Sequence, residues 1–423
     1  MHMPPPAAEG SILEANPADQ AELLRDALAP QRWPVPLESF PPGSALVGGA
    51  VRDALLGRLS STPDLDLVVP ADALGETRRL AKRYGGACVV LDEQRDMARL
   101  VVKGWTIDFA RLEGNDLTED LFRRDFKLNA IALSLSEPQQ LFDPTQGLQD
   151  LQNGVISAIR ESNLRDDPLR LLRALRLMAE LEMRIDADTL AMVKANSPLL
   201  THSAPERIQA ELLRLVAAPA ADQAIELLQT LQLLSPWRSK DAEPALMPLG
   251  QSRPTEPGMT QDELTLALPL ARLTRLLSDQ GLKSLRFSRR QIQRCSRLRY
   301  WQARTGAEGN GTLNETERLR LHQDLEADLP ALVLCWPNER RDLWMRRWRN
   351  PKDPLFHPCA PVDGDTLQTK LSIQPGPKLG ALIQHLTTAH AYGRISSLEQ
   401  ALIEARRWLI RPSSTGESKG QCD

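Results

Sequence analysis

One change of rhythm constrains this chain more than any other feature. Between about residues 43 and 135 the texture is α/β, with short runs that alternate apolar and polar residues at the two-residue period of strands. After about residue 160 no strand pattern persists and leucines recur at helical spacing. SALVGG is a short apolar run reaching a glycine pair, and AVRDALLG reads as a helix ended by Gly57. DLDLVVP, ACVVLDE, ARLVVKG and WTIDFA read as strands. DPLRLLRALRLMAELEM, PERIQAELLRLVAA and DQAIELLQTLQLL read as amphipathic helices. The expected fold class is α+β: a small N-terminal head with a mixed β-sheet, then a long all-helical body. A chain of 423 residues has room for roughly two to four domains, and no fixed-period repeat marks a solenoid.

Composition matters for what it excludes. With 42% apolar residues the chain can bury a sizeable core, so wholesale disorder is excluded. No apolar run approaches the ~20 residues of a membrane span, and the opening MHMPPPAAEG lacks the basic and apolar regions of a secretion signal. A cytoplasmic location without membrane partners is the expectation. The five cysteines and six histidines are scattered, which argues against a disulfide framework and a zinc site. Net charge is −3, so the chain cannot coat a polyanion through bulk charge and would have to grip one with local patches. Arginines outnumber lysines 42 to 10. That bias suits bidentate contacts to phosphates, and a G+C-rich coding sequence produces it equally well.

The chemistry concentrates in the strand-rich part. Asp64 and Asp66 lie two apart on an expected strand, so both carboxylates share a face while Leu65 and Leu67 take the other. Such a pair is either the charged side of a solvated edge strand or an oxygen-ligand site for Mg²⁺ that engages nucleotide phosphates. Asp108, in WTIDFA, could add the third carboxylate that a two-metal site uses, or be an ordinary strand-end aspartate. Upstream, Gly48 and Gly49 end one strand and open a helix, where backbone N–H groups can approach a triphosphate. A lone glycine pair is usually a turn. GG-x-V-R-D followed twelve residues after Arg52 by D-L-D is a much stronger pattern.

These residues carry a family resemblance. GGAVRDALLG (48–57) with DLDLVV (64–69) resembles the head motif of class II tRNA nucleotidyltransferases and bacterial poly(A) polymerases, members of the DNA polymerase beta superfamily. RRDFKLNAIAL (123–133), DPTQGLQDL (143–151), DDPLRLLRALRLMAELEMRID (166–186) and SAPERIQAELLRL (203–215) resemble the next four motifs in order, and DGDTLQTKLSIQPGPKLGALIQHL is similar to the family's tail. The resemblance implies a catalytic head over 21–140, a helical neck with the base-reading helix over 141–220, a helical body over 221–330 and a helical tail over 331–412, with RNA binding expected of the body and tRNA binding of the tail. The Pro- and Ala-rich leader over 1–20 and the polar end over 413–423 read as flexible from their composition.

The resemblance also implies roles. Gly48, Gly49 and Arg52 would bind the incoming triphosphate, Asp64 and Asp66 the Mg²⁺, and Arg124 and Asn129 the ribose and phosphates. Asp167 and Arg170 would offer hydrogen bonds to the Watson–Crick edge of the base, with Arg173 and Arg176 lining the same pocket. The spacing agrees: Arg170, Arg173 and Arg176 recur every three residues, offset from Leu169, Leu172 and Leu175, so leucines can face a core and arginines a cleft. Read without the family, Asp167 before Pro168 is also a helix N-cap or half of an i,i+3 ion pair with Arg170.

Two departures from the family pattern stand out. Asp166 occupies a position where Glu is usual, a conservative change. Between Arg111 and Arg123 only LEGNDLTEDLF intervenes, whereas relatives that add all of CCA carry a longer flexible segment and those that add only CC a shortened one. The resemblance therefore implies addition of CC from CTP to the tRNA 3′ end, with the terminal A from ATP left to a separate A-adding enzyme. The alternatives are a full CCA-adding enzyme, a poly(A) polymerase, or a non-catalytic RNA-binding relative, which intact Asp64, Asp66, Arg124 and Asn129 argue against. No HD dipeptide with supporting histidines suggests an appended phosphohydrolase domain.

One further stretch bears on RNA. From Lys283 to Arg304 there are eight basic residues and no acidic one, with Phe287, Tyr300 and Trp301 interleaved, and RRDLWMRRWR (340–349) repeats the theme. Arg286, Arg289, Arg290 and Arg294 are the candidate phosphate contacts. The competing interpretation is an ordinary solvated helix face with core aromatics.

Overall fold

A computed structural model of the chain describes residues 12–238, 258–306 and 309–410. The chain divides into two compact units, Met1–Pro236 and Trp237–Asp423.

The first unit opens with α1 (Pro17–Leu28), which buries Leu24 and Leu28. Part of the leader expected over 1–20 is therefore structured: Gln20 is buried and donates to the carbonyls of Ile12 and Ala15. Then come β1 (Ala45–Val47), α2 (Gly49–Leu55), β2 (Leu65–Val69), α3 (Ala73–Tyr84), β3 (Ala87–Asp92), β4 (Met97–Val102), β5 (Trp105–Arg111) and α4 (Leu117–Phe122). Two short strands, β6 (Ala132–Ser134) and β7 (Leu141–Phe142), complete a seven-stranded sheet in the order β3-β4-β5-β2-β1-β6-β7. β2 and β5 are parallel and every other pair is antiparallel, so the sheet is mixed, as expected. Leu65, Leu67, Ile107 and Phe109 are fully buried on one face, and α3 packs against β3, β4 and β5.

The neck follows: α5 (Gly147–Asn153), β8 (Val155–Ile156), α6 (Glu161–Asp166), α7 (Leu169–Leu181), β9 (Arg184–Ile185), α8 (Ala187–Asn196), α9 (Pro205–Ala217) and α10 (Ala221–Thr230). β8 and β9 pair in parallel, a two-residue ladder too short for the alternation that marks strands in sequence, so strand structure does persist past residue 160. α6 and α7 are separate because Pro168 pushes the residue before it out of the helical region: Asp167 is extended, at φ −133°, ψ 92°. α10, expected to open the body, packs on α7 and α9 and buries Ala221, Ala224, Ile225 and Leu228.

The second unit is all-helical among its described residues: α11 (Gln261–Leu276), α12 (Asp279–Ser284), α13 (Arg289–Thr305), α14 (Glu315–Asp324), α15 (Leu329–Val333), α16 (Asn338–Trp348), α17 (Gly364–Leu371), α18 (Pro377–Ala391) and α19 (Leu398–Ile410). Capping boxes fix the starts of α11, α13 and α14. α15 packs on α11 and α13, so the tail expected from 331 has its own core only further on, around Val362, Leu367, Leu382, Leu386 and Ala401. The Pro-rich polar stretch from about 240 to 262, whose composition reads as a loop or linker, lies mostly outside the described residues, as does the 413–423 end. No described helix is long and apolar enough to cross a membrane.

Candidate active site

Asp66 is the centre of the site. On β2 it pairs in register with Val47 of β1 and with Asp108 of β5. Alternation sends Leu65 and Leu67 into the core and turns Asp66 to the opposite face, while Asp64, just before the strand, is exposed. Burial pushes the Asp66 carboxyl up to about 6; Asp108 and Asp64 push it the same way, and Arg124 and Arg173 oppose them. A carboxylate raised chiefly by burial, with two further carboxylates adding to the effect, is a place where added positive charge is favourable.

The glycine pair shapes the ground beside it. Gly48 has φ +75°, and a Cβ there would lie 3.1 Å from Asp66 Oδ2 and 3.7 Å from Arg124 Nη1. Glycine thus supplies both the backbone conformation and the clearance between strand end and carboxylate. A Cβ on Gly49 would come 3.8 Å from Arg52 Nη2, so the glycines, Arg52, Arg124 and Asp66 share one corner.

Arg52 is buried and leads into a polar chain that reaches the neck. Its Nη1 donates to Asn129 Oδ1 at 2.7 Å, and its Nε to Asp53 at 2.9 Å. Asn129 Nδ2 donates to Asp125 Oδ1 at 3.1 Å, and Asp125 pairs with Arg173 Nη2 of α7 at 2.9 Å. Burial works to raise the Asp125 carboxyl, but Arg173, the Asn129 amide and the Phe126 N–H outweigh it and hold it below the usual carboxylate range. The turn bearing Asn129 is clamped from outside by the third sequence motif: Asp143 accepts from the Gly147 and Leu148 N–H groups. A Cβ on Gly147 would stand 2.2 Å from the Lys127 carbonyl oxygen, so only glycine permits that approach. Arg124 Nε and Arg173 Nε are buried without hydrogen-bond partners, a cost that an acceptor-rich ligand reaching this corner would relieve.

The base-reading residues are placed less uniformly than their spacing suggested. Asp167 is taken by Arg207 of α9, at 2.8 Å from Nη2, rather than by Arg170. Arg170 Nη1 donates to the carbonyls of Arg123 and Asn163 at 2.9 and 3.0 Å, which ties α7 to the residues that carry Arg124. Arg176 departs from the group: it is 3% exposed and engaged by Glu180 and Glu211. α7 buries leucines nearly all round, so its third turn belongs to the neck core and not to the cleft.

Asp108 is committed elsewhere. Its Oδ1 and Oδ2 accept from Arg99 Nε and Nη2 at 2.7 and 2.8 Å. Among the described residues no three side chains of metal-ligating type come together. Sequence reading missed Arg99, Asp125, Asn163 and Arg207. Arg99 was within reach: the two-residue turn Lys103–Gly104, both at positive φ, fixes a hairpin register that sets Arg99 opposite Asp108. Asn163, whose amide donates to the Phe122 and Arg124 carbonyls, left no local signal.

The acid-free basic stretch finds acids in space. Arg294 pairs with Asp328, Arg297 with Asp324, Arg299 with Asp279 and Arg304 with Glu317. Trp301 and Phe287 are core residues, and Tyr300 alone of the three aromatics is exposed. Lys283, Arg286, Arg289 and Arg290 are exposed at the start of the stretch. In the second cluster Arg341 is buried, Arg347 pairs with Asp353 and Arg349 with Glu263.

Residues 44–157 match the family model for a Poly A polymerase head domain, and residues 182–237 match one described as a probable RNA and SrmB-binding site of polymerase A. The chain is 33% identical over 403 residues to the CC-adding tRNA nucleotidyltransferase of Synechocystis sp., covering 89% of this chain and 96% of that one. It is 43% identical over 204 residues to the A-adding tRNA nucleotidyltransferase of Deinococcus radiodurans, covering 47% and 46%. Its fold is similar to that of a Thermotoga maritima CCA-adding enzyme solved in complex with tRNA (TM-score 0.64, 20% identity, 97% and 100% covered).

Proposed function

Since the chain belongs to the class II tRNA nucleotidyltransferase family, we propose that it adds two C residues from CTP to the 3′ end of tRNA and leaves the terminal A to a separate enzyme. The observation that carries the CC restriction is the connection from β5 to the Arg123–Arg124 turn. It is short and tied down. Leu112 N–H donates to the Val69 carbonyl at 2.8 Å, Asp116 caps α4 through the Glu119 N–H at 2.9 Å, and Asn115 N–H donates to Glu119 at 2.9 Å. Arg123 pairs with Glu113. Little chain remains to reshape the base pocket between C and A. The near-full-length likeness to a CC-adding relative supports the same reading.

In the transfer, the 3′-hydroxyl oxygen of the tRNA attacks the α-phosphorus of CTP, a new P–O bond forms, and the bond to the β-phosphate breaks to release pyrophosphate. Asp64 and Asp66 would hold Mg²⁺, and the raised Asp66 carboxyl fits a divalent ion. Mg²⁺ bound there would stabilise charge on the phosphate and make the hydroxyl a better nucleophile. Gly48 and Gly49 leave room for the triphosphate beside Asp66. Arg52 and Arg124 offset its charge, and Asn129 orients Arg52. Asp167 and Arg170 would read the cytosine edge, its amine giving to Asp167 and its carbonyl accepting from Arg170. To do so Asp167 must exchange its Arg207 partner for the base.

The test supplies CTP, ATP, GTP and UTP singly to the purified protein with a tRNA transcript ending before CCA, and with an unrelated RNA of similar length. Extension of the tRNA by two residues with CTP alone is expected. ATP uptake on both RNAs would make the protein a poly(A) polymerase instead.

A further inference from the structure

Arg99 has no part in the mechanism above, yet it is the cation held most directly against the carboxylate cluster. The hairpin register places it opposite Asp108. Leu100 and Ile107, their neighbours, are fully buried on the other face of the sheet, so Arg99 and Asp108 stand together on the face that carries Asp66. The contact is bidentate, at 2.7 and 2.8 Å, and so it fixes the carboxylate plane as well as neutralising its charge. Asp64 and Asp66 act electrostatically on the same guanidinium. Asp66 and Asp108 are strand neighbours, but no three ligating side chains converge among the described residues.

We propose that Arg99 is a built-in counter-ion that holds Asp108 away from the Asp64–Asp66 pair and weakens the site for divalent cations until one competes for Asp108. Arg99 is thus a positioning residue that acts through Asp108. The inference rests on the reading of Asp64 and Asp66 as the metal pair. Its physical basis is charge and geometry. Three carboxylates with one fixed guanidinium carry a net charge of about −2, one less than without it, and the guanidinium occupies the directions in which Asp108 would donate lone pairs to a metal. Removing Arg99 frees the third ligand and removes a repulsive charge a few ångströms from the ion.

The test is Mn²⁺ binding by the full chain at pH 8, without nucleotide or tRNA, read from the electron paramagnetic resonance signal of free Mn²⁺. The variants are R99M, R99K, D108N, the R99M/D108N double and D66N, each checked for native circular dichroism. R99M should bind Mn²⁺ at least ~10-fold more tightly than the unmodified chain. R99K, which keeps the charge but not the fork, should tighten less. In R99M/D108N most of the gain should vanish, because it is expressed through Asp108. Unchanged or weaker binding in R99M would overturn the proposal, and R99K carries the same decision if R99M does not fold. D66N separates the two layers of argument: binding that survives D66N would show that the metal pair is misassigned, whatever Arg99 does.

Discussion

Two sets of arginines in this chain look alike in sequence and differ in space. In the head and neck, Arg52, Arg124, Arg170 and Arg173 are scattered over three motifs, yet they close on one corner around Asp66, Asn129 and Asp125. Two of their N–H groups remain buried without acceptors. From Lys283 near the end of α12 through α13 the basic residues follow one another with no acid between them, yet four of the eight are matched by carboxylates from α12, α14 and the residue before α15. Density of charge along the chain is therefore a poor guide to charge a ligand can use. What counts is which cations the fold leaves for an outside acceptor.

The largest effect that can break this contrast is at Asp66. D66A should reduce CMP incorporation by at least roughly 10³-fold while leaving tRNA retention on filters unchanged; incorporation that persists would remove Asp66 from the chemistry. Next is R173M, which strands the buried Asp125 carboxylate. It should cost about 3 kcal/mol in urea unfolding and slow incorporation as well, whereas loss of activity at full stability would mean that the Arg52–Asn129–Asp125–Arg173 chain does not hold the neck.

A pH experiment gives the third. The Asp66 carboxyl is pushed up to about 6 from an ordinary 3.8, so the folded metal-free protein binds that proton more tightly than the unfolded chain. The resulting stabilisation is complete below the unfolded value and lost as pH rises through about 6. D66N, which cannot ionise, should match the parent at low pH and exceed it above pH 7 by on the order of 2 kcal/mol in EDTA. Equal melting temperatures at pH 8 would contradict the burial argument. The smallest effect separates the two kinds of arginine on α13. R290E should weaken tRNA binding several-fold and lower the salt slope by about one, while R294E should lower stability through repulsion with Asp328. Equal losses of tRNA affinity in both, without a stability change in R294E, would erase the distinction.

Much of the head was legible beforehand. The strands around Asp66, Val89, Leu100 and Asp108 are written in alternation, the one ending at Val47 in a short apolar run, and the glycine pair announces α2. Asp64, Asp66, Gly48, Arg52, Arg124 and Asn129 could be named because their motif spacing is local. What escaped is what spacing cannot carry. β8 and β9 are two residues each, and Asn163 and Arg207 act on partners about forty residues away. Arg176 was misplaced because a three-residue repeat fixes a helix face only while that face keeps one environment, and α7 passes from cleft to core within three turns. Arg99 is the instructive omission, since the Lys103–Gly104 turn already dictated its place.

The central claim is that this head adds C and stops. It is tested most directly by offering ATP alone to a tRNA already ending in CC and resolving the products at single-nucleotide length. The account expects no extension, while the same preparation given CTP extends a tRNA lacking CCA by two residues. Efficient addition of A to the CC end would contradict it.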